Sequence, residues 1–160
     1  MAVTSSKAYE YCKKSIRKKT TPKYVKLQMK AWMRIAEGKD SKYFVSEKKV
    51  QQIENILKLL IMPKGLKAGQ SMYKCATGYQ WLIYTAMLCT VYRDKPKKRR
   101  YETGLLEICR KNFKTYTIGT IFIILFITEP RFSKFFSVAP DGALSRESNL
   151  RYNQKQSAYL

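Results

Sequence analysis

The pair with the most chemistry to offer in this chain is a Lys followed by a Thr, Lys114-Thr115, just before a strongly apolar stretch. The residues leading to it are Ile108, Cys109, Arg110, Lys111, Asn112 and Phe113. Binding the phosphates of a nucleotide at such a point needs three things. Backbone N–H groups at a helix start must face the phosphates. A Lys must reach the β and γ phosphates, and a Ser or Thr hydroxyl must hold the magnesium ion. Lys114 and Thr115 supply the last two. The pattern GxxxxGK[ST] is not kept at its glycines, since Ile108 takes the first position and Phe113 the second. Glycine at the second position permits positive φ, which costs a bulky residue about 1 kcal/mol or more. The plainer alternative is a solvated helix start with no ligand.

Composition removes other chemistries. The chain has no His, which excludes His-based acid–base catalysis, His metal ligands and His-activated nucleophiles. Its four Cys, at 12, 75, 89 and 109, form no CxxC pair, so a zinc site is not expected. Reduced thiols in a cytosolic protein are the natural reading.

A phosphate loop has to be held between a strand and a helix. Residues 101–108 read as a strand, 109–115 as a polar turn and 116–128 as a very apolar helix broken by Pro130. Residues 135–139 read as a second strand. Strand–loop–helix–strand is a βαβ unit and implies a parallel sheet. Upstream the chain reads as helices. Ala8, Tyr11, Cys12 and Ile16 recur at helical spacing within residues 5–18. Thr21 as cap and Pro22 at the first helical position open a second helix, with Val25, Met29, Trp32 and Ala36 on one face and Gly38 at its end. A third starts after Ser46, has Glu47 in its first turn, and carries Val50, Ile53, Leu57, Leu60 and Ile61 up to Pro63 and Gly65. After a loop over residues 66–78, a fourth, residues 79–91, is apolar nearly all round through Trp81, Leu82, Met87 and Leu88, which predicts deep burial. The expected fold class is α/β. A helical region at 1–72 precedes an incomplete parallel sheet of the P-loop NTPase type at 73–147, and a frayed tail follows at 148–160.

Lys and Arg total 32 against 11 Asp and Glu, a formal net charge of +21. Such an excess favours polyanionic partners, with DNA first and an anionic membrane surface second. Lys95, Lys97, Lys98, Arg99 and Arg100 form the densest basic run and are the expected DNA contacts; a solvated loop is the alternative. Lys7 and Glu10 interrupt any apolar leader. The apolar run at 118–127 is far shorter than the roughly 20 residues that span a bilayer. It also lacks the charged face of a surface-lying helix, so no membrane partner is expected.

The segment Cys109-Arg110-Lys111-Asn112-Phe113-Lys114-Thr115 resembles the variant phosphate loop of large terminase subunits of tailed phages, of the type Ala-Arg-Lys-Asn-Gly-Lys-Ser, with Phe in place of Gly. Tyr79-Gln80 resembles the family's upstream aromatic residue and adenine-binding Gln. Arg99-Arg100-Tyr101 is similar to the basic-aromatic approach to the loop. Pro22-Lys23-Tyr24-Val25-Lys26-Leu27 and Tyr43-Phe44-Val45 are similar to the helical front of these subunits, and Ser137-Val138-Ala139 to the second ATPase strand. The resemblance covers roughly residues 8–147. It implies an ATP-driven, DNA-packaging motor and nuclease with ATP and Mg2+ as cofactors. By the same resemblance Gln80 meets adenine, Lys114 the β and γ phosphates and Thr115 the magnesium, while Arg110, Lys111 and Asn112 line the loop. Its implied partners are DNA, portal protein and the small terminase subunit, in a homo-oligomeric ring. The implied setting is the cytoplasm of a bacterial host carrying a phage or prophage.

No apolar run ends in the acidic pair that would hold magnesium and orient water, and no carboxylate cluster suits a nuclease. Glu107 precedes the loop and lies on its wrong side. The expectation is therefore a truncated chain that keeps nucleotide-site and DNA-contact elements without full catalysis. The competing expectation is a small basic protein that binds DNA non-specifically and has no ATP chemistry.

Overall fold

The computed structural model describes residues 3–63, 65, 67–109, 111–130 and 133–134. The chain divides into two compact units. One takes Met1–Glu54 and Ala76–Leu105, the other Asn55–Cys75 and Leu106–Leu160.

In the first unit, helix α1 spans Lys7–Arg17. Ser6 opens it, its hydroxyl oxygen accepting from the Tyr9 N–H at 3.3 Å. Glu10 lies near the positive end of the helix dipole, and Lys14 and Arg17 near the negative end. Helix α2, Lys23–Ala36, buries Met29, Trp32, Ile35 and Ala36, and Gly38 follows it at φ +76°. The cap differs from expectation. Pro22 itself stands at the cap position, and the Thr21 hydroxyl donates back to the Ser15 carbonyl at 2.8 Å instead. Val25 is exposed rather than on the buried face. The Tyr9 hydroxyl donates to Glu37 Oε1 at 2.7 Å and ties α1 to the end of α2.

Strand β1, Tyr43–Val45, pairs antiparallel with β2, Thr90–Tyr92, in the register Tyr43 with Tyr92, Phe44 with Val91 and Val45 with Thr90. Helix α3, Glu47–Leu59, follows β1 at once, with the Ser46 hydroxyl oxygen accepting from the Lys49 N–H. Helix α5, Gly78–Tyr84, runs into a π-helical segment, Thr85–Cys89, and that segment into β2. The expected helix over 79–91 thus ends two residues early. Thr90 and Val91 are β-branched and Tyr92 is aromatic, and all three find partners on β1. Trp32 Nε1 donates to Thr90 Oγ1 at 3.3 Å beneath the sheet.

In the second unit the chain after α3 doubles back. The Met72 N–H donates to the Leu60 carbonyl and the Met62 N–H to the Gln70 carbonyl, and the four-residue helix α4, Met72–Cys75, follows. Helix α6, Lys114–Thr128, buries Thr117, Gly119, Thr120 and Ile124, while Ile118, Phe126 and Ile127 are exposed. Three of its four threonines are satisfied within the helix. Thr117, Thr120 and Thr128 each donate a hydroxyl to the carbonyl four residues back, at 3.0, 2.8 and 2.8 Å. Among the described residues no helix is long and apolar enough to cross a membrane.

The architecture is therefore mixed helical with one small antiparallel sheet among the described residues. The strand expected at 101–108 is absent: these residues carry no regular secondary structure. The cause lies just before them. The Lys98 N–H closes a turn on the Lys95 carbonyl at 2.8 Å, with Pro96 at the favoured second position. The chain then returns beside β2, where Arg99 bridges Val91 and the Arg100 N–H donates to the Thr90 carbonyl. After Arg100 no ladder partner continues among the described residues, and Leu105 is 87% exposed. The strand expected at 135–139 and the tail at 148–160 lie outside the described residues.

Candidate phosphate loop and basic hairpin

Helix α6 begins two residues before the expected start, so Lys114 and Thr115 form its first turn. Its first intrahelical bond runs from the Thr117 N–H to the Phe113 carbonyl at 2.9 Å. The N–H groups of Lys114 and Thr115 precede that bond and have no acceptor inside the helix. Both side chains are exposed. Phe113 stands at the cap position with φ 55° and ψ 27°, in the left-handed region. Lys111, two residues earlier, also has positive φ, 65°. Left-handed backbone costs an L-residue about 1–2 kcal/mol. The loop thus holds at Phe113 the conformation for which a motif glycine would be selected.

Part of that cost is offset by packing. A β-carbon built on Gly65 would lie 3.9 Å from the Phe113 Cζ, so the ring rests over a residue with no side chain, itself at φ +91°. The Phe113 and Tyr116 rings are 5.9 Å apart between centroids. A cavity of about 420 Å³ opens here, lined by Cys109, Lys111, Phe113, Lys114, Thr115 and Tyr116. It brings together three of the expected phosphate-site residues, Lys111, Lys114 and Thr115. Asn112 folds back, its Nδ2 donating to the Cys109 carbonyl at 3.4 Å. Arg110 lies outside the described residues. No Asp or Glu stands among the described residues lining the cavity, and no group of three or more His, Cys, Asp or Glu able to hold a metal ion occurs among the described residues. Thr115 and the phosphates themselves would be the ligands of any magnesium here, a hydroxyl and oxygens that suit a hard cation.

Gln80 is used differently. It is 3% exposed, and its Oε1 accepts from the Thr77 N–H at 2.8 Å and from the Thr77 hydroxyl at 3.0 Å. Thr77-x-x-Gln80 is a capping box that starts α5. The side chain therefore holds a helix terminus, and its carboxamide oxygen is engaged before any base arrives.

The basic run forms the tip and return of a hairpin. Lys95 and Lys97 are exposed in its turn. Lys98 pairs with Glu102 at 3.0 Å, an exposed bridge. Arg100 lies over the Tyr43 ring at 4.3 Å and the Tyr101 ring at 4.9 Å. Arg99 is half-buried where it bridges Val91. The sequence reading missed that β1 supplies the rest of this surface, Lys42 and Tyr43. The signal was present, as aromatic and β-branched triplets, Tyr43-Phe44-Val45 and Thr90-Val91-Tyr92, each flanked by a basic residue.

Two of the buried thiols are held in their protonated form. Burial pushes Cys12 and Cys89 up to about 12, whereas Cys109 is exposed at the loop.

Compared with protein-family models, with curated proteins and with solved structures, the chain matches none.

Proposed function

We propose that residues 109–115 bind the phosphates of an adenine nucleotide, with Lys114 reaching the β and γ phosphates and Thr115 holding magnesium. On this reading the chain corresponds to the front of a large terminase subunit, a DNA-packaging ATPase of a phage or prophage acting in a bacterial cytoplasm. The observation that carries it is the left-handed Phe113 immediately before Lys114-Thr115 at the start of α6. A residue with no intrinsic preference for that backbone holds it at the second motif-glycine position, where positive φ lets the chain approach phosphates. The cavity beside it, with Lys111, Lys114 and Thr115 in its wall, is consistent in size with a phosphate-bearing ligand.

The parallel sheet of a P-loop NTPase belongs to this proposal, and the antiparallel pair β1 and β2 supplies none of it. The Gln80 geometry favours a loop that recognises phosphates over one that reads the base. With no carboxylate among the described residues at the cavity, binding without appreciable hydrolysis is the expected activity. DNA, portal protein, the small terminase subunit and a ring of like chains are the partners that go with this reading.

The basic hairpin supports the second reading, a small DNA-binding protein with no ATP chemistry. Titration with Mg-ATP separates the two. Saturable binding lost in Lys114→Ala supports the first, and no nucleotide binding alongside steeply salt-dependent DNA binding supports the second.

A further inference from the structure

Three cations converge on one pair of rings in the first unit. The Tyr43 and Tyr92 rings, directly opposite in the β1–β2 register, meet edge to face with centroids 4.9 Å apart. Lys42 Nζ lies 5.5 Å from the Tyr43 centroid and 5.6 Å from that of Tyr92. Lys98 Nζ lies 5.6 Å from the Tyr92 centroid, and the Arg100 guanidinium carbon 4.3 Å from that of Tyr43. Three separate stretches of chain contribute, and every charge they bring to the rings is positive. The nearby carboxylates compensate incompletely. Glu102 is exposed and pairs with Lys98. Asp40 Oδ1 accepts from the Lys42 and Tyr43 N–H groups, and its carboxyl is held below the usual range, first by the Tyr43 N–H and then, among others, by Arg100 and Arg34. Arg93 is spent on structure, donating to the Asp40 and Gly38 carbonyls.

We propose that Lys42, Lys98 and Arg100, held over the Tyr43–Tyr92 ring pair, bind two or three consecutive phosphates of a nucleic-acid strand without regard to sequence. Cation–π contacts keep the three head groups on the surface rather than swinging in solvent, so less ordering is lost when a polyanion arrives. A strand with regularly spaced phosphates relieves the mutual repulsion of the cations and releases counterions. The net charge of +21 draws such a strand in. Because cations already cover the ring faces, the backbone is contacted and the bases are not stacked, which makes the site indifferent to sequence. A lipid surface fits less well. The exposed large apolar side chains of this unit, Tyr24, Val25, Leu27 and Leu105, lie on α2 and beyond the hairpin, not on the sheet. The proposal rests on the nucleic-acid-binding reading of the basic hairpin, uses the first unit only and does not depend on the nucleotide reading.

The test is fluorescence anisotropy of a short labelled oligonucleotide of mixed sequence, as single strand and as duplex, over a range of salt concentrations. Lys42→Gln with Arg100→Gln should weaken binding about tenfold near physiological salt. It should also flatten the slope of log K against log salt by roughly 0.7–0.9 for each lost phosphate contact. The charge-matched control Lys13→Gln with Lys19→Gln, both exposed on or just after α1, should leave the slope within error of the parent. Circular dichroism of both variants checks the fold. Equal losses in the two double variants would overturn the proposal in favour of diffuse attraction. So would no binding by the parent chain, or binding to anionic phospholipid vesicles that depends on Lys42 and Arg100 while oligonucleotides are ignored. None of these outcomes bears on Lys114, so failure here stays distinguishable from failure of the nucleotide reading.

Discussion

The carboxamide oxygen of Gln80 sits 2.8 Å from the backbone nitrogen of Thr77, closing the first turn of α5 from inside the protein. That bond decides what Gln80 can do. A buried acceptor engaged by one N–H and one hydroxyl is worth about 1–2 kcal/mol as a cap, and leaving those donors unpaired costs a similar amount.

Gln80→Ala should therefore lower stability by about 1–2 kcal/mol, measured as a shift of the urea midpoint at constant slope. Gln80→Glu, which keeps the capping oxygen, should retain most of it. Neither should change the preference for adenine over guanine nucleotides. A loss of adenine preference in Gln80→Glu, with stability intact, would return Gln80 to the base-binding role.

Gly78 marks where α1 meets α5. A β-carbon at Gly78 would collide with the Tyr11 ring, so the ring or a helix must move. Gly78→Ala should destabilise by about 1–3 kcal/mol even though Ala is the better helix former. The double variant with Tyr11→Ala should recover part of that loss relative to Tyr11→Ala alone. A neutral or stabilising Gly78→Ala in a denaturant melt would contradict this packing.

Phe113 holds φ 55° against its own preference. Phe113→Gly removes that strain and opens the cavity wall, at the cost of the contacts over Gly65 and with Tyr116. Stability should change by less than about 1 kcal/mol, the two effects opposing. Nucleotide affinity should rise several-fold, and phosphate release should stay at background because no carboxylate stands among the described residues lining the cavity. Turnover above background in the unsubstituted chain, abolished by Lys114→Ala, would show that a catalytic acid exists which this account lacks.

Cys12 and Cys89 give a pH signature. Both folded-state values, about 12, lie above the ordinary thiol value of 9.0. A raised acid binds its proton more tightly in the folded chain. The associated stability is complete below pH 9 and is lost as pH climbs from there toward 12. By pH 9.5 the two thiols together should cost about 1–2 kcal/mol relative to pH 8. Cys89→Ala should halve that dependence. In the same range a thiol reagent should label Cys109 readily and Cys12 and Cys89 only on unfolding.

The helices were legible because their signals are local. Ser46 is a start and Gly38 and Pro63 are stops written in adjacent residues, whereas the caps at Ser6 and in the Thr77-to-Gln80 box went unread. The sheet was hidden because Tyr43–Val45 and Thr90–Tyr92 are short, and each is strand only by virtue of the other, far away in sequence. The same non-locality explains the strand expected at 101–108. The edge of β2 beside which it could pair is taken by the return of the hairpin through Arg99. At the candidate site, Lys114 and Thr115 were readable from type and spacing. The left-handed turn at Phe113 was not, since Phe gives no sign of it. Lys42 escaped notice because Tyr92 comes to it, and Arg100 to the neighbouring Tyr43, only through the strand pairing.

The claim that residues 109–115 form a phosphate loop is tested most directly by titrating Mg-ATP into the parent chain, Lys114→Ala and Phe113→Gly side by side and following heat or tryptophan fluorescence. The account predicts saturable binding by the parent with a Kd on the order of 1 mM, about −4 kcal/mol, no measurable saturation in Lys114→Ala, and binding several-fold tighter than the parent in Phe113→Gly. Equal binding by all three proteins, or none by any of them, would contradict it.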